Sequence, residues 1–225
     1  MALAISTITA KWQRPLGVFK TFNQYKGATM RNPQGIATKR IGELLEQRFE
    51  YDSELSSLRV WYDHGTRELS RNVCQPTTYM GRRYGRDATL SGLDIAVTLG
   101  SKVLLIVEIE ERTARPKIIL GDIFGVVLAD SVMIGKRRYS IKDVELLIAM
   151  VTPEKGKIAE KLSRLKRHVN KYIKALRDSG RSRSVRVVSI EPTTQDELVQ
   201  RIEKRIRRIV NKKLRSCGVS RLRPS

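Results

Sequence analysis

The chain has little cysteine. Cys74 and Cys217 are its only two, and their spacing fits none of the patterns that hold zinc. Two cysteines in 225 residues also argue against the disulfide framework on which small secreted domains depend. We therefore expect a protein of a reducing compartment, the cytoplasm, whose fold rests on a hydrophobic core.

Long apolar segments and aromatic residues are also scarce. No run approaches the ~18 apolar residues that a membrane-spanning helix needs, and Phe, Trp and Tyr make up only 6% of the chain. The first residues are mildly apolar but include no basic residue before Lys11, so they do not resemble a signal peptide. We expect no association with membranes, and no sequence motif indicates an organic cofactor.

Acidic residues are outnumbered nearly two to one, because 44 Lys and Arg stand against 23 Asp and Glu, a formal net charge of +21. Such a surface repels itself unless a polyanion binds it, and nucleic acid is the usual polyanion. The imbalance is concentrated in residues 151–225, which hold 22 basic and 7 acidic residues, whereas residues 1–150 hold 22 and 16. We expect DNA as the partner.

Apolar periodicity predicts an α/β protein with a mixed sheet flanked by helices. The predicted order is helix, three strands, helix, strand, helix, strand and helix, with helices at about 37–51, 116–130, 157–176 and 194 onwards, and strands at 58–63, on both sides of Gly100, at 144–151 and at 185–190. Residues 67–87 are predicted as a long polar loop and residues 138–142 as a basic turn. We expect the 144–151 strand to lie parallel to the strand that ends at Glu108, and the last helix to begin at a capping Thr194. The apolar stripe of that helix comprises Leu198, Ile202, Ile206, Ile209 and Val210. We divide the chain into an N-terminal arm (1–36), a core (37–192) and a basic C-terminal helix and tail packed on the core (193–225).

The most informative segment is the predicted hairpin of residues 91–111, which carries carboxylates in apolar strands. Asp94 interrupts the first strand, and Glu108 and Glu110 follow an apolar run in the second. With a short turn near Gly100, Asp94 lies opposite Val107 or Glu108. Side chains alternate along a strand, so Glu108 and Glu110 share one face.

Carboxylates this close together repel each other and raise each other's pKa, so the cluster is costly unless a cation neutralises it. Oxygen ligands suit a hard divalent cation such as Mg²⁺. The hairpin therefore predicts a metal site formed by Asp94, Glu108 and Glu110. A solvated strand end is the alternative explanation for the glutamates alone, but it does not account for Asp94.

These residues and the order of elements resemble the PD-(D/E)xK nuclease superfamily, which includes restriction endonucleases, Holliday-junction resolvases and repair nucleases. The resemblance covers about residues 37–190. Leu93-Asp94 stands where the family has Pro-Asp, and Glu108-Ile109-Glu110 stands for (D/E)-x-K. The proline is absent and Glu110 replaces the motif lysine, a substitution that some restriction enzymes of the superfamily also show.

The resemblance implies a restriction-endonuclease-like fold and a Mg²⁺-dependent DNA endonuclease, most similar to type II restriction enzymes and dimeric if its target is a palindrome. It implies that Asp94 and Glu108 hold Mg²⁺, for which Mn²⁺ should substitute, and that Glu110 orients or deprotonates the attacking water. In family resolvases a glycine precedes a metal-site glutamate by one helical turn, and Gly42 and Glu46 resemble that pair. Glu46 is therefore a fourth candidate catalytic residue.

Basic residues of the long loop and of the two last helices are candidates for binding the DNA backbone. They are Arg82, Arg83, Arg86, Lys161, Arg164, Arg167, Lys171, Lys174, Arg201, Arg205 and Arg208. Two other functions remain open at this point. One is a Holliday-junction resolvase or repair nuclease of the same superfamily, and the other is a non-catalytic nucleic-acid-binding protein in which Glu110 marks a decayed site.

Overall fold

The computed structural model describes residues 33–53, 55–63, 73–81, 85–110, 116–151, 184–190 and 194–216, and the separate positions 160, 163–165, 167–169 and 171. Within these ranges there are three continuous helices: α1 (Pro33–Tyr51), α2 (Pro116–Val127) and α3 (Gln195–Ser216). The strands are β1 (Leu58–Tyr62), β2 (Thr77–Tyr79), β3 (Thr89–Gly92), β4 (Ile95–Leu99), β5 (Lys102–Glu110), β6 (Ser131–Ile134), β7 (Arg137–Ser140), β8 (Glu145–Val151) and β9 (Ser184–Ile190).

The described strands form one mixed sheet, consistent with the predicted α/β class. Its central part runs β1, β4, β5, β8, β9: β4 is antiparallel to both β1 and β5, while β8 is parallel to both β5 and β9. The second part, formed by β7, β6, β2 and β3, is antiparallel throughout and joins β5 where Lys102 pairs with Ser140. The predicted parallel pairing of β5 with the 144–151 strand is confirmed.

The β4–β5 hairpin forms as its sequence predicts. Gly100 has a φ of 57°, the left-handed conformation that a two-residue turn favours and that glycine adopts without strain. Ile95 pairs with Val107, and the register shifts between Val97 and Thr98 on the way to the turn. Continued by one residue, this register places Asp94 opposite Glu108.

The two faces of the sheet are covered by different helices. On one face, Ile106 and Ile148 are buried in a core that includes Ile119 and Ile123 of α2, together with Val169. We call this the α2 face. On the other, the α1 face, α1 packs on β1, and α3 packs on α1 and β5.

Helix α3 begins and packs as its sequence predicts. The Thr194 hydroxyl accepts a hydrogen bond from the Glu197 N–H (3.2 Å), the cap that satisfies a free N–H of the first turn. The predicted apolar stripe is buried, and it comprises Leu198, Ile202, Ile206, Ile209 and Val210. Glu203 is also buried, where it forms ion pairs with Arg48 of α1 (3.5 Å) and with Arg207 (3.0 Å).

Three predicted boundaries are corrected. Helix α1 begins at Pro33 rather than near residue 37, because proline suits the first helical position. Helix α2 ends at Val127, and the predicted basic turn at 138–142 overlaps strand β7 of an unpredicted β6–β7 hairpin that turns at Gly135 (φ 58°). Strands β6 and β7 have only four residues each, and apolar and polar residues do not alternate clearly along β7. The hairpin is therefore not recognisable from the sequence pattern.

Other predicted elements lie partly outside the described residues. Within the predicted 67–87 loop, the described part contains β2 and a short 3₁₀ turn (Arg86–Ala88). Each described position between 160 and 171 is helical, as predicted. The chain divides into two units, Met1–Arg31 and Asn32–Ser225, and all of the first lies outside the described residues. None of the helices in the described ranges is long and apolar enough to cross a membrane.

Candidate metal centre on the α2 face

The side chains of Asp94 and Glu108 are each held by a backbone N–H group of the facing part of the hairpin. The Asp94 N–H donates a hydrogen bond to Oε2 of Glu108 (3.3 Å), and the Ile109 N–H donates one to Oδ2 of Asp94 (2.8 Å). Each carboxylate is thus held by the strand opposite its own. The register of the hairpin fixes both side chains before any ligand is present, as a binding site requires.

Of these two carboxyl groups, that of Glu108 lies in the more unusual environment. Its side chain is only 5% exposed, and Oε1 is buried without a hydrogen-bond partner in the described structure. Burial, followed by the negative charges of Asp94 and Asp122, raises the pKa of Glu108 well above its ordinary value of 4.5. An unsatisfied buried carboxylate oxygen costs stability, so its presence favours a role in binding a ligand.

Asp122 was not predicted from the sequence. It lies on α2 between residues that pack on the sheet, and its carboxyl interacts with that of Glu110. Burial raises the pKa of Asp122, and the interaction with Glu110 partly offsets this rise. The sequence of α2 contains one indication of this role. Asp122 is the one charged residue after Lys117 in an otherwise apolar helix.

Glu46 does not join this cluster. Its Oε2 accepts a hydrogen bond from the Tyr62 hydroxyl (3.1 Å), and Tyr62 pairs directly with Ile95. Directly paired residues share a face, and Ile95 and Asp94 point to opposite faces. Glu46 is therefore held on the α1 face, whereas Asp94, Glu108 and Glu110 lie on the α2 face.

Gly42 has a packing role in this arrangement. A Cβ atom at this position would lie 2.5 Å from carbon atoms of the Tyr62 ring, so glycine is needed for the helix to approach the strand. The resemblance of Gly42 and Glu46 to the resolvase pair is thus explained locally by the docking of α1 on β1. It does not place Glu46 beside the other carboxylates.

The donor set fits a hard cation that keeps much of its water. Within the described ranges, no group of three or more His, Cys, Asp or Glu side chains is arranged as a ready metal centre. Two carboxylate pairs are present instead: Asp94 with Glu108, and Glu110 with Asp122. Mg²⁺ is commonly held by one or two carboxylates plus water and substrate phosphate, and the orphaned Oε1 of Glu108 supplies an oxygen of this kind.

The predicted DNA-binding residues divide between the two faces. Arg164, Arg167 and Lys171 are exposed, and their segment lies on the α2 face because Val169 is buried in that core. On α3, by contrast, the exposed residues lie on the side of the α1 face, and they comprise Arg201, Arg205 and Arg208. Outside the described residues, or with side chains that are not described, lie Arg82, Arg83, Arg86, Lys161 and Lys174.

Two of these exposed arginines already have acidic partners. Arg164 forms an ion pair with Glu160 (3.6 Å), and Arg201 forms one with Glu197. Exposed pairs of this kind contribute little to stability and are screened by salt. Arg167 and Lys171 are therefore the clearest candidates for phosphate contacts on the face of the acidic cluster.

Comparison with known proteins finds no match for this chain among protein-family models, curated proteins or solved structures.

The raised pKa of Glu108 predicts how the stability of the metal-free protein varies with pH. A raised folded-state pKa contributes stability that is present below the unfolded value and is lost as pH rises through the folded value. We expect the melting temperature in a chelator to fall over that window, and Glu108→Gln to remove this part of the fall. At the alkaline end of the series, the free energy of unfolding of Glu108→Gln should exceed that of the wild-type protein by at least about 1 kcal/mol. This corresponds to a melting temperature that is higher by roughly 2–4 °C.

Thermal unfolding across a pH series checks this expectation, with Glu50→Gln as the control because Glu50 is an exposed residue of α1. Parallel pH profiles for the wild-type protein and Glu108→Gln would show that Glu108 is not a strained carboxyl.

Proposed function

We propose that this protein is a divalent-metal-dependent endonuclease that hydrolyses DNA phosphodiester bonds. The observation that carries the proposal is the pairing of Asp94 with a buried Glu108 that has one oxygen without a hydrogen-bond partner. The order α1, β1, β4, β5, α2, β8 supports a restriction-endonuclease-like core, in which β2, β3, β6 and β7 are additions. The excess of positive charge supports a polyanionic substrate.

In this proposal Asp94 and Glu108 are the residues that would hold Mg²⁺ or Mn²⁺. When bound, the ion supplies a Lewis acid for the phosphate and lowers the pKa of the attacking water. The backbone hydrogen bonds to both carboxylates keep them oriented, so little reorganisation is needed when the phosphate binds.

We assign to Glu110 the role of accepting the proton of the attacking water. The water oxygen forms a bond to phosphorus, the bond from phosphorus to O3′ breaks, and the proton of the water passes to the carboxylate pair of Glu110 and Asp122. The leaving O3′ takes up a proton from solvent. Partial burial raises the pKa of Asp122, and a carboxylate with a raised pKa is a better proton acceptor than an exposed one.

Substrate binding is assigned first to the described positions between 160 and 171. Val169 is buried in the core of the α2 face, so the exposed Arg167 and Lys171 near it lie on the same side of the sheet as the carboxylates, and we assign phosphate contacts to them. Helix α3 lies on the other face and is assigned a secondary contribution through the overall positive field of the protein.

One observation favours a second function, that of a non-catalytic DNA-binding protein. The carboxylates form two pairs, and Glu110, which interacts with Asp122, stands in the position that the superfamily gives to its lysine. Without the lysine, less positive charge is available to stabilise the transition state. A decayed site would keep the basic surfaces and lose the cleavage reaction.

The deciding experiment is incubation of the purified protein with supercoiled plasmid and with genomic DNA, in Mg²⁺, Mn²⁺ or a chelator. The proposal expects nicked or linear plasmid only with metal, and discrete genomic fragments if cutting is sequence-specific. Intact DNA that shifts in a gel would contradict the proposal and support the binding function. Faster cleavage of four-way junctions than of linear duplex would indicate that the protein is a resolvase that uses the same chemistry.

A further inference from the structure

The end of the sheet at which β5 begins carries exposed basic side chains that the proposed site does not use. They belong to the start of β5, to the β6–β7 turn and strand β7, and to the loop before β8, and they comprise Lys102, Lys136, Arg137, Arg138 and Lys142. We call this set the basic rim. In the segments that form it, 99–102 and 135–143, five basic residues and one acidic residue, Asp143, give a formal charge of +4.

The basic rim is assembled where the two parts of the sheet meet. Lys102 pairs with Ser140, and the Ser140 N–H donates a hydrogen bond to the Ser101 carbonyl oxygen (2.9 Å). Every other basic residue of the rim lies within four residues of Ser140, which is at most roughly 13 Å along an extended chain. The fold therefore brings together charges from β5 and from the β6–β7 hairpin.

Most of the charges of the basic rim are not neutralised within the described part of the chain. Six described arginines elsewhere form ion pairs with carboxylates, but no such pair in the described ranges includes a lysine of the rim or Arg137. The Arg138 guanidinium donates a hydrogen bond to the Gly81 carbonyl oxygen (3.3 Å), which orients it without removing its charge. Exposed like charges repel each other, and a bound polyanion relieves that repulsion.

The polar groups around these charges suit a row of phosphates. Ser101 and Ser140 are exposed, and hydroxyl and backbone N–H groups contact phosphates together with lysine and arginine. Gly100 and Gly135 form the two turns, and no atom lies within 4 Å of the place where either would carry a Cβ, so a ligand can approach the backbone there.

A membrane surface suits the basic rim less well, because basic surfaces that bind membranes also insert apolar side chains. The exposed large apolar residues of the described ranges all lie outside the rim, and they are Tyr51, Met80, Phe124 and Leu128.

We propose that the basic rim binds the phosphodiester backbone of double-stranded DNA at a distance from the carboxylates. Lys102 precedes Glu108 by six residues on β5, which corresponds to roughly 20 Å, or about six base pairs of duplex. The inference rests on the proposed function for the identity of the polymer. It goes beyond that function by assigning a role to β6 and β7, which are additions to the core that resembles the nuclease superfamily.

The test is the binding of a fluorescent duplex, longer than one helical turn, to the full-length protein in a chelator, where cleavage cannot occur. Replacing Lys136 and Arg137 by Ala should lower the slope of log affinity against log salt by about 2, and affinity itself by roughly 10–100-fold near 0.1 M salt. Fluorescence anisotropy across a salt series measures both quantities. Thermal unfolding checks that each variant is folded.

Two controls isolate the position and the charge. Replacing Lys204 and Arg208 by Ala on α3 also removes one exposed lysine and one exposed arginine, and it should change the slope by less than the rim variant does. Exchanging the two rim residues, as Lys136→Arg with Arg137→Lys, keeps the charge and should leave binding as in the wild-type protein.

The outcomes separate this inference from the function on which it rests. A loss in the rim variant no larger than that in the α3 variant would overturn the inference, even if the wild-type protein cleaves DNA with Mg²⁺. Weak binding by the exchanged variant would also overturn it, because charge would then not be the cause. Tighter binding of single-stranded DNA or RNA than of duplex would overturn the assigned ligand. The expected loss in a protein that never cleaves DNA would support the rim and contradict the proposed endonuclease.

Discussion

Replacing Asp94 by Asn or Glu108 by Gln is expected to reduce metal-dependent DNA cleavage by at least roughly 10²–10³-fold, the loss typical when one preorganised charge-stabilising group is removed. Both replacements keep the shape of the side chain but remove the negative charge that holds the ion. DNA binding should persist, because the basic surface is unchanged. Cleavage rates on plasmid and gel-shift affinities, measured at one salt concentration, check the two expectations together.

Two controls sharpen this prediction. Asp143→Asn changes an exposed carboxylate outside the cluster and should cleave like the wild-type protein. Glu46→Gln should have a smaller effect than either cluster variant, because Glu46 is hydrogen-bonded to Tyr62 on the α1 face. Full cleavage by both Asp94→Asn and Glu108→Gln would remove these residues from the mechanism. A loss in Glu46→Gln as large as in those variants would show that the site extends around the sheet edge.

DNA binding should weaken steeply with salt. If the protein neutralises six to ten phosphates, affinity should fall by roughly 10³–10⁵ between 50 and 200 mM salt, because each contact releases condensed counterions. Replacing both Arg167 and Lys171 by Ala should lower the slope of log affinity against log salt by about 2, since each phosphate contact contributes roughly 0.9.

The matched control for this prediction is replacement of Arg205 and Arg208 by Ala on α3. All four residues are exposed and each double variant removes two charges, so the net charge changes equally. The structure places Val169 in the core of the α2 face, whereas α3 packs on α1, so the first pair should have the larger effect. Equal slopes for both variants, or a larger loss from α3, would contradict the assignment of the DNA-binding face.

The features that could be predicted from sequence depend only on residues that are close together in the chain. The pairing of Asp94 with Glu108 depends on a two-residue turn at Gly100 and on the alternation of strand side chains, and both are properties of one hairpin. The cap of α3 at Thr194 and its buried stripe are local in the same sense. Each of these predictions is confirmed by the hydrogen bonds or the burial.

The parts that were missed depend on how distant elements dock. Asp122 reaches the cluster only because α2 packs with Ile119 and Ile123 against the sheet, and the sequence of a helix does not specify its neighbour. Glu46 was assigned to the cluster by resemblance, but the packing of Gly42 on Tyr62 holds it on the other face. The basic residues near Val169 and those of α3 lie on different faces for the same reason, because their positions depend on how distant elements dock.

The most direct test of the central claim is a crystal structure of the protein with Mn²⁺, located by its anomalous scattering. We expect an ion about 2.1 Å from carboxylate oxygens of both Asp94 and Glu108, with Oε1 of Glu108 among its ligands. Density for an ion bound elsewhere, or none at these carboxylates at saturating Mn²⁺, would contradict it.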